Sequence, residues 1–419
     1  MLMRTGWVVA VGALVSSPIG VGRVALASTS RLHRRFAQTA VGTPRRKTRP
    51  VALASDTDHV YSFGVVGTGF GPKLLQLQHR SPSLVASIPG HVVQVVTSNS
   101  DTYALTSAGS VWAWGAGAMG ELGNATTRSF VRTPVEVRFP SGVRIAKLAN
   151  PMPYDSALAI DSHGVAWGWG FNSRHAVCLA KARQLVPAPL PLSHVSLATG
   201  AGAHSLLDAG GTVYACGLGA DGELGDGSTA SQPTPTPVVG LPHVEVAALV
   251  SSWQGSGALM DNGAYYDWGF NRAGQLGDGS TTNSDLPVRV HLPLPVTQVS
   301  QGGSRPTNGQ TLALLANGSL WAWGSGSYGQ LGLGNRREAA SPVEVSLPPT
   351  VRFSEVCSGG DSSYAIATNG VLWSWGGNQH GQLGDGTTRE RLVPRPTALV
   401  LAQVSATATN VAGMGERSG

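Results

Sequence analysis

One short phrase recurs along the chain and constrains its fold more than any other feature. The phrase is aromatic-x-aromatic-Gly, followed after a gap by Gly-x-Leu-Gly. Five copies carry both halves, at residues 112–123, 214–225, 266–277, 321–332 and 373–384; in the second of them, Cys216 takes the place of the second aromatic residue. Two copies are degenerate: residues 167–170 keep the first half but have lost Gly-x-Leu-Gly, and residues 61–64 match more weakly. Self-similarity at a fixed period indicates a repeat architecture.

Each repeat is predicted to form four short strands. The anchoring glycines run from Gly64 to Gly376 in six intervals, a mean period of 52 residues. In the clearest copy, apolar segments 351–357, 363–368 and 371–375 are separated by turn signals. Asn-Gly turns between the second and third strands are predicted to be type I′ hairpins, with Gly-Gly as a variant. These turns are Asn262-Gly263, Asn317-Gly318 and Asn369-Gly370, and the variant is Gly210-Gly211. The last strand is predicted to begin near a proline, as at Pro134, Pro287 and Pro342.

The predicted fold class is all-β, a seven-bladed β-propeller of four-stranded antiparallel blades. The first copy starts at residues 51–55 and lacks the first strand of the pattern, whereas residues 401–406 supply one in surplus. We therefore expect the N- and C-terminal strands to close the ring, which removes exposed sheet edges. The propeller is predicted to span residues 51–411, followed by a flexible tail at 412–419.

The tryptophans are predicted to build the core of the repeat. Nine of the eleven lie in the phrase, and alternate residues of a strand point to one face. We expect this face to pack against the next blade. Asp226, Asp278 and Asp385, which follow Gly-x-Leu-Gly, resemble caps of Asx turns, with calcium binding as the rival hypothesis. The three cysteines fall in three separate repeats, and no disulfide framework is expected; Cys216, in the place of an aromatic residue, is interpreted as buried filler.

The N-terminal 55 residues differ in charge from the rest of the chain. They carry nine of the 29 Lys and Arg residues and no acid, which leaves 20 basic residues against 23 acidic ones in the body. Nucleic-acid binding by the propeller body is therefore not expected. Residues 1–27 read as a signal peptide ending in Ala25-Leu26-Ala27, and 28–50 as a basic flexible linker. The chain is expected to be exported, with no stable membrane span after cleavage; an organellar transit peptide and a cytoplasmic location are the alternatives.

The repeated phrase, its hairpin turn and its period resemble the regulator-of-chromosome-condensation repeat family. The resemblance covers roughly residues 51–411 and implies a seven-bladed propeller. Family members include an exchange factor for a nuclear GTPase, a plant ultraviolet-light receptor and subunits of ubiquitin ligases, so the fold alone does not define a function. The family often has a histidine on the second strand of each blade, and here only His204 clearly matches.

No catalytic, cofactor-binding or metal-binding motif occurs, so an enzyme is not predicted. The predicted function is a non-enzymatic scaffold that binds a protein partner through a rim whose loops vary in length. The alternative, by family analogy, is a guanine-nucleotide exchange factor or regulator of a small GTPase. The candidate contact residues come from three places. These are the irregular segment 171–191, the insertion 302–309, and Trp253, which is the one tryptophan after residue 55 that lies outside the phrase. The residues are Arg174, His175, Trp253, Arg305 and Asn308.

Overall fold

The computed structural model describes residues 53–54, 60–66, 77–84, 88–97, 101–149, 152, 155–303, 309–379, 381–400, 403–406 and 411–414. The predicted signal peptide, the basic linker, Arg305 and Asn308 lie outside these residues. The described part is all-β, as expected. It contains six four-stranded antiparallel sheets, a three-stranded sheet and a two-stranded sheet.

The strands form the sheets in chain order. A three-stranded sheet contains β1 (Leu53–Ala54), β2 (Val60–Val66) and β3 (Leu77–Leu84). Sheet 1 contains β4 (Val92–Thr97), β5 (Asp101–Thr106), β6 (Val111–Ala116) and β7 (Phe130–Glu136). Sheet 2 contains β8 (Ile145–Leu148), β9 (Ser156–Asp161), β10 (Ala166–Phe171) and β11 (Arg183–Pro189). Sheet 3 contains β12 (Val195–Ala201), β13 (His204–Ala209), β14 (Thr212–Gly217) and β15 (Gln232–Pro237).

The remaining sheets follow the same plan. Sheet 4 contains β16 (Val246–Ser251), β17 (Gly255–Met260), β18 (Tyr265–Gly269) and β19 (Ser284–Val290). Sheet 5 contains β20 (Val296–Gly302), β21 (Gln310–Leu315), β22 (Leu320–Gly324) and β23 (Ala339–Glu344). Sheet 6 contains β24 (Phe353–Ser358), β25 (Ser362–Ala367), β26 (Val371–Gly376) and β27 (Arg391–Val400). The two-stranded sheet contains β28 (Gln403–Ala406) and β29 (Val411–Met414), so strand structure extends into the predicted tail.

Successive sheets pack face to face through their first and second strands. β12 lies against β16, β16 against β20, and β20 against β24. Glutamine side chains link neighbouring first strands: Gln94 in β4 donates to the carbonyl of Leu148 in β8 at 3.0 Å and accepts from its N–H at 2.8 Å. Gln298 in β20 accepts from the N–H of Val356 in β24 at 2.9 Å. These bonds pair backbone groups that the inner strands leave without a ladder partner.

The Asn-Gly turns differ from the predicted type. A type I′ turn needs positive φ at both central residues, but at Asn317-Gly318 only the glycine has it, with φ of 79°. The Gly318 N–H donates to the carbonyl of Leu315 at 2.8 Å, and the Asn317 side chain accepts from the N–H of Ser319. The hairpin loop is therefore longer than the two-residue loop of a type I′ turn, and its last residue is a glycine in the left-handed conformation. Gly210-Gly211 alone among the four turns has both φ angles positive, at 61° and 83°.

The fourth strand of each sheet is an edge strand, and its proline lies inside it rather than at its start. In sheet 5, Ala322 pairs with Val343 and Gly324 with Ala339, so the register shifts around Pro342. Sheets 1 and 4 show the same shift beside Pro134 and Pro287. A bulge on an edge strand tolerates the missing N–H, because no ladder bond is lost there.

The second aromatic residue of the phrase packs against the preceding sheet, not the next one as predicted. Trp323 of β22 is fully buried among sheet 4 residues such as Tyr265 and Val290. Its indole N–H donates to the carbonyl of Gln275, the x of the preceding Gly-x-Leu-Gly turn, at 2.9 Å. The last glycine of that turn, Gly277, has no room for a side chain, since a Cβ would lie 2.7 Å from the indole nitrogen.

The same contact repeats at four junctions between sheets. Each time the tryptophan N–H donates to the carbonyl of the turn's x residue and the indole covers the turn's last glycine. The donor and acceptor pairs are Trp169 with Glu121, Trp268 with Glu223, Trp323 with Gln275 and Trp375 with Gln330, at 2.9 to 3.1 Å. The two halves of the repeated phrase therefore interact between neighbouring sheets. The Gly-x-Leu-Gly turn of one copy packs against the tryptophan of the next copy.

Candidate functional site

Two sets of connections lie on one face of the sheets, here called the loop face. In an antiparallel sheet, the connection from the first strand to the second and the connection from the third to the fourth lie at the same end of the strands. The connection from the second strand to the third and the connection to the next sheet lie at the opposite end of the strands. Arg174 and His175 fall in the third connection of sheet 2, and Trp253 falls in the first connection of sheet 4. The segment holding Arg305 and Asn308 joins β20 to β21, so its described ends lie on this face too.

Trp253 borders a small open pocket on the loop face, with a cavity volume of about 10 Å³. Three connections build the pocket: the first and third of sheet 4, and the first of sheet 5. Gly303 and Gly309, which flank the undescribed segment 304–308, form part of its wall. The residues around it are Ser252, Trp253, Gln254, Gly255, Phe270, Gln275, Gly303 and Gly309. Trp253 is partly buried, so the side chain contributes both to the wall and to the surface.

Hydrogen bonds fix the loop that carries Trp253. The N–H of Ser252 donates to the carbonyl of Gly255 at 2.8 Å, and the N–H of Phe270 donates to the carbonyl of Gln254 at 2.9 Å. The Gln254 amide also donates to the carboxylate of Asp221 in sheet 3, which accepts from Asn283 as well. The pocket is therefore preorganised by contacts within and between sheets.

The other two predicted residues lie two sheets away, and their roles differ. Arg174 is exposed. His175 is partly buried, has a φ of 60° and contacts the carbonyl of Leu179 through Nδ1 at 3.2 Å. Its N–H donates to the carbonyl of Asn172, as the N–H of Gly274 donates to Asn271 in sheet 4. His175 thus occupies the place of the first glycine of Gly-x-Leu-Gly, and its role is to shape the turn.

The loop around Arg174 is basic. Lys181 and Arg183 are also exposed, and none of the three cations forms an ion pair within the described residues. By contrast, two acidic side chains of the loop face in sheet 3 are engaged in hydrogen bonds. Asp221 bonds to Gln254 and Asn283, and the Asp226 carboxylate accepts from Ser228 and Gln232.

The predicted Asx turns are confirmed. The carboxylates of Asp226, Asp278 and Asp385 accept from the N–H two residues ahead, at 3.0, 2.9 and 2.9 Å. Asp385 also pairs with Arg391 at 2.9 Å. Within the described residues, no group of three or more His, Cys, Asp or Glu side chains is arranged to hold a metal ion.

The prediction for the cysteines is wrong in one respect. Cys216 is buried, as expected, but it is not filler, because it forms a disulfide with Cys178 of the preceding sheet. Cys357 is buried and is not disulfide-bonded. The two bonded cysteines are 38 residues apart and belong to different repeats, so their proximity depends on the packing of sheet 2 against sheet 3.

Two buried carboxyl groups lie in the Gly-x-Leu-Gly turns. Burial raises the pKa of Glu223 to about 7, against hydrogen bonds from backbone N–H groups that lower it. Burial likewise raises the pKa of Glu121 to about 7. The N–H two residues earlier donates to each carboxylate at 2.7 Å. The equivalent residues in sheets 4, 5 and 6 are Gln275, Gln330 and Gln382, which carry no charge.

Two further buried titratable groups, His204 and Asp267, bond to residues of a neighbouring sheet and do not line the pocket. His204 Nε2 lies 2.9 Å from Ser256 Oγ of the next sheet, and burial lowers its pKa to about 4. Tyr265 and Gln301 both donate to the Asp267 carboxyl, whose pKa burial raises well above its ordinary value. The x position of the phrase that Asp267 occupies holds an alanine in other copies, at Ala215 and Ala322.

Comparison with known proteins identifies the family. The regulator of chromosome condensation (RCC1) repeat matches residues 108–149, 210–259, 262–304, 317–366 and 369–410, together more than half of the chain. A second form of this repeat matches residues 296–330. The chain belongs to the family of RCC1-repeat proteins. Residues 150–209, which carry the degenerate turn and Cys178, fall between the matched repeats.

Relatives span several kinds of protein. The Ultraviolet-B receptor UVR8 of Arabidopsis thaliana is 29% identical over 324 residues, 75% of this chain and 72% of the receptor. The mitochondrial RCC1 domain-containing protein RUG3 of the same plant is 29% identical over 316 residues, covering 68% of this chain and 69% of RUG3. The human E3 ubiquitin-protein ligase HERC2 is 30% identical over 262 residues, 60% of this chain, but the match spans only 5% of the ligase.

Solved structures confirm the all-β propeller architecture. Human WBSCR16 superposes with a TM-score of 0.71 at 20% identity, covering 84% of this chain and 98% of the other. Yeast RCC1 (Prp20), in a complex with Kap60, superposes with a TM-score of 0.69 at 20% identity, covering 93% and 95% of the two chains. The six four-stranded sheets thus have the architecture of an RCC1-type propeller. No helix among the described residues has the length and apolar character needed to cross a membrane.

Proposed function

We propose that this protein is a non-enzymatic propeller scaffold that binds a protein partner through its loop face. The observation that carries the proposal is the partly exposed Trp253 at the border of a small, preorganised pocket that three connections from two sheets line. A partly exposed tryptophan beside a shaped depression is typical of the residues that dominate binding energy at protein interfaces. The connection 172–182 and the described ends of the segment 302–309 lie on the same face.

Charge on the loop face favours a partner that presents acidic groups to sheet 2. Arg174, Lys181 and Arg183 are exposed and form no ion pair within the described residues. Complementary charges steer association and set orientation more than they add affinity. We expect the pocket to supply affinity and the basic loop to supply orientation. Of the predicted residues, Arg174 and Trp253 are therefore assigned to partner contact together with Arg305 and Asn308, whereas His175 supports the turn.

We also propose that the propeller has seven blades and that its termini close the ring. The strand β28 packs against β24 and β25 of sheet 6, and β29 packs beside β1 and β2. This neighbourhood supports a seventh blade made from both ends of the chain. Truncation after Leu399 removes β28 and β29 and is expected to abolish soluble expression, because sheet 6 then exposes an uncovered face. A truncated chain that melts at the temperature of the full chain would refute the closure.

The location proposed is outside the cytoplasm, by way of a signal peptide cleaved after Ala27. The apolar segment and the Ala25-Leu26-Ala27 site support it. The similarity to mitochondrial RUG3 keeps an organellar transit peptide as the alternative. N-terminal sequencing of the native protein decides between them: a start at Ser28 supports export, a start near Ser55 supports a transit peptide, and an intact Met1 contradicts both.

Site-specific photo-crosslinking tests the binding face. A photoreactive amino acid placed at position 253 is expected to capture the partner from cells that express the full chain, whereas the same group at position 243 is not. His243 is exposed in the connection from β15 to β16, on the opposite face, and is the matched control. Equal capture from both positions, or capture only from position 243, would contradict the proposal. Capture of a small GTPase at position 253 would favour an exchange-factor role over a scaffold.

A further inference from the structure

Five junctions between the six four-stranded sheets can be compared residue by residue. At four of them, the indole of a tryptophan covers the last glycine of a Gly-x-Leu-Gly turn. At the junction between sheets 2 and 3, both partners are replaced together. Cys178 stands where the glycine would be, and Cys216 stands where the tryptophan would be; the two form a disulfide.

The backbone of sheet 2 shows that Cys178 holds the glycine's place. His175-Ala176-Val177-Cys178 follows Gly170 at the spacing at which Gly274–Gly277 follows Gly269. Cys178 has a φ of 57°, a left-handed conformation that non-glycine residues rarely adopt, and Gly277 has a φ of 68°. In sheet 2 the Asn172 side chain accepts from the N–H of Val177 at 3.0 Å, and in sheet 4 Asn271 accepts from Leu276 at 2.9 Å.

The partner side of the junction is equally conserved in geometry. Cys216 in β14 occupies the position that Trp268 occupies in β18, one residue before the anchoring glycine. Ser205 of sheet 3 donates to the carbonyl of Ala176, as Ser256 of sheet 4 donates to the carbonyl of Glu223. The turn's acceptor is therefore present at this junction, but no indole is there to use it.

We propose that the Cys178–Cys216 disulfide is a covalent lock that stands in for the glycine–tryptophan contact, so that the propeller reaches full stability only where protein disulfides form. The two thiols lose two protons and two electrons, and the S–S bond forms. The oxidant is a disulfide, such as glutathione disulfide, whose own S–S bond breaks to give two thiols. Cys178 is 1% exposed and Cys216 is fully buried, so the exchange takes place before the two sheets have closed on each other.

Reduction leaves this junction weaker than its neighbours for two reasons. Two small thiols replace a large buried indole and its hydrogen bond, so less apolar area is covered. Cys178 also keeps a left-handed backbone conformation that costs energy for a residue with a Cβ, which the bond to Cys216 holds in place. Structural disulfides persist in exported and periplasmic proteins and are rare in the cytosol. The lock therefore points to maturation in an oxidising compartment.

Thiol counting on the native full-length protein is the first test. The chain has three cysteines, so denatured protein from its natural source is expected to show one free thiol, that of Cys357. Three free thiols per chain would overturn the proposal, because the lock would not exist in the cell.

Thermal unfolding with and without a reducing agent is the second test. Reduction is expected to lower the Tm by roughly 5 °C, since the disulfide closes a loop in the unfolded chain. The double variant Cys178→Ser/Cys216→Ser should melt at the lower temperature in both conditions. The control Cys357→Ser should keep the full response to reduction. An unchanged Tm on reduction of the verified disulfide, or a double variant as stable as the oxidised protein, would refute the lock.

A variant that restores the glycine and the tryptophan tests whether the disulfide replaces their contact or only crosslinks the two sheets. The variant Cys178→Gly/Cys216→Trp should melt above the double serine variant and should not respond to reductant, because the indole can donate to the Ala176 carbonyl. A restored variant that is folded yet no more stable than the serine variant would contradict the claimed equivalence. Should it fail to fold, thiol counting and the serine variant still decide whether the lock exists.

Discussion

Between sheets 3 and 4 the indole of Trp268 covers Gly225, whereas between sheets 2 and 3 a disulfide joins Cys178 to Cys216. Both junctions keep the left-handed turn and a serine that donates to the turn's carbonyl. The two junctions share a backbone shape and a carbonyl acceptor, whereas the two side chains that fill the junction are replaced together. The indole fits only where the turn residue has no Cβ, and the disulfide forms only where both positions are cysteine.

Removal of an indole should have the largest effect on this comparison. Trp323→Ala is expected to lower the free energy of unfolding by about 3–5 kcal/mol, the range for deleting a large buried aromatic side chain. It also leaves the Gln275 carbonyl without its indole donor. Chemical denaturation of purified protein measures the loss. A loss below about 1 kcal/mol would mean that the junctions do not depend on the tryptophans.

Replacing the turn glycine by alanine tests whether the indole needs a residue without a side chain beneath it. Gly225→Ala is expected to cost about 2–4 kcal/mol, because its Cβ would lie 2.7 Å from the Trp268 indole nitrogen and its φ is 66°. Gly210→Ala is the matched control, since Gly210 has a φ of 61° and open space around it. Denaturation should show a smaller loss for the control. Equal losses would assign the whole cost to φ and none to the indole.

Protonation of the turn glutamate tests the shared acceptor loop. The folded state favours the neutral Glu223 carboxyl, with a pKa of about 7 against an ordinary value of 4.5. Its stabilising contribution is therefore complete below pH 4.5 and is lost as the pH rises through about 7. Glu223→Gln should stabilise the protein by up to about 3 kcal/mol at pH 8 and have little effect at pH 4.

The control for that substitution is Glu338→Gln, at an exposed site in the equivalent connection of sheet 5. Thermal melts across pH 4 to 8 should leave the control parallel to the wild type. A gain for Glu223→Gln that does not depend on pH would show that the carboxyl charge is not the cause.

Trp253 should have the smallest effect on folding. Trp253→Ala is expected to change the free energy of unfolding by less than about 1 kcal/mol and to weaken partner binding by about 2 kcal/mol or more. Titration calorimetry with the partner captured by crosslinking, beside thermal melts, measures both. Damage to folding as large as that of Trp323→Ala would place Trp253 in the core and remove it from the binding face.

The strands, turns and caps of each repeat could be predicted from the sequence alone. Strand length, turn position and the Asx caps follow from residues within one repeat, since alternation, glycine and aspartate act over two to five positions. The all-β class and the family follow from the period for the same reason. The partly exposed Trp253 was found by elimination, because it is the body tryptophan that the phrase does not use.

Tertiary structure decided whatever depends on two repeats at once. The tryptophan's true neighbour, the pairing of Cys178 with Cys216 and the three connections around the pocket all join residues from different repeats or distant loops. One signal was present: His175 and Cys178 keep the spacing of the two turn glycines, although the glycines themselves are gone. Residue type suggested a lost turn. The Val177 N–H, however, donates to the Asn172 side chain, and this bond and the packed neighbour sheet hold the backbone in the left-handed conformation that glycine adopts freely.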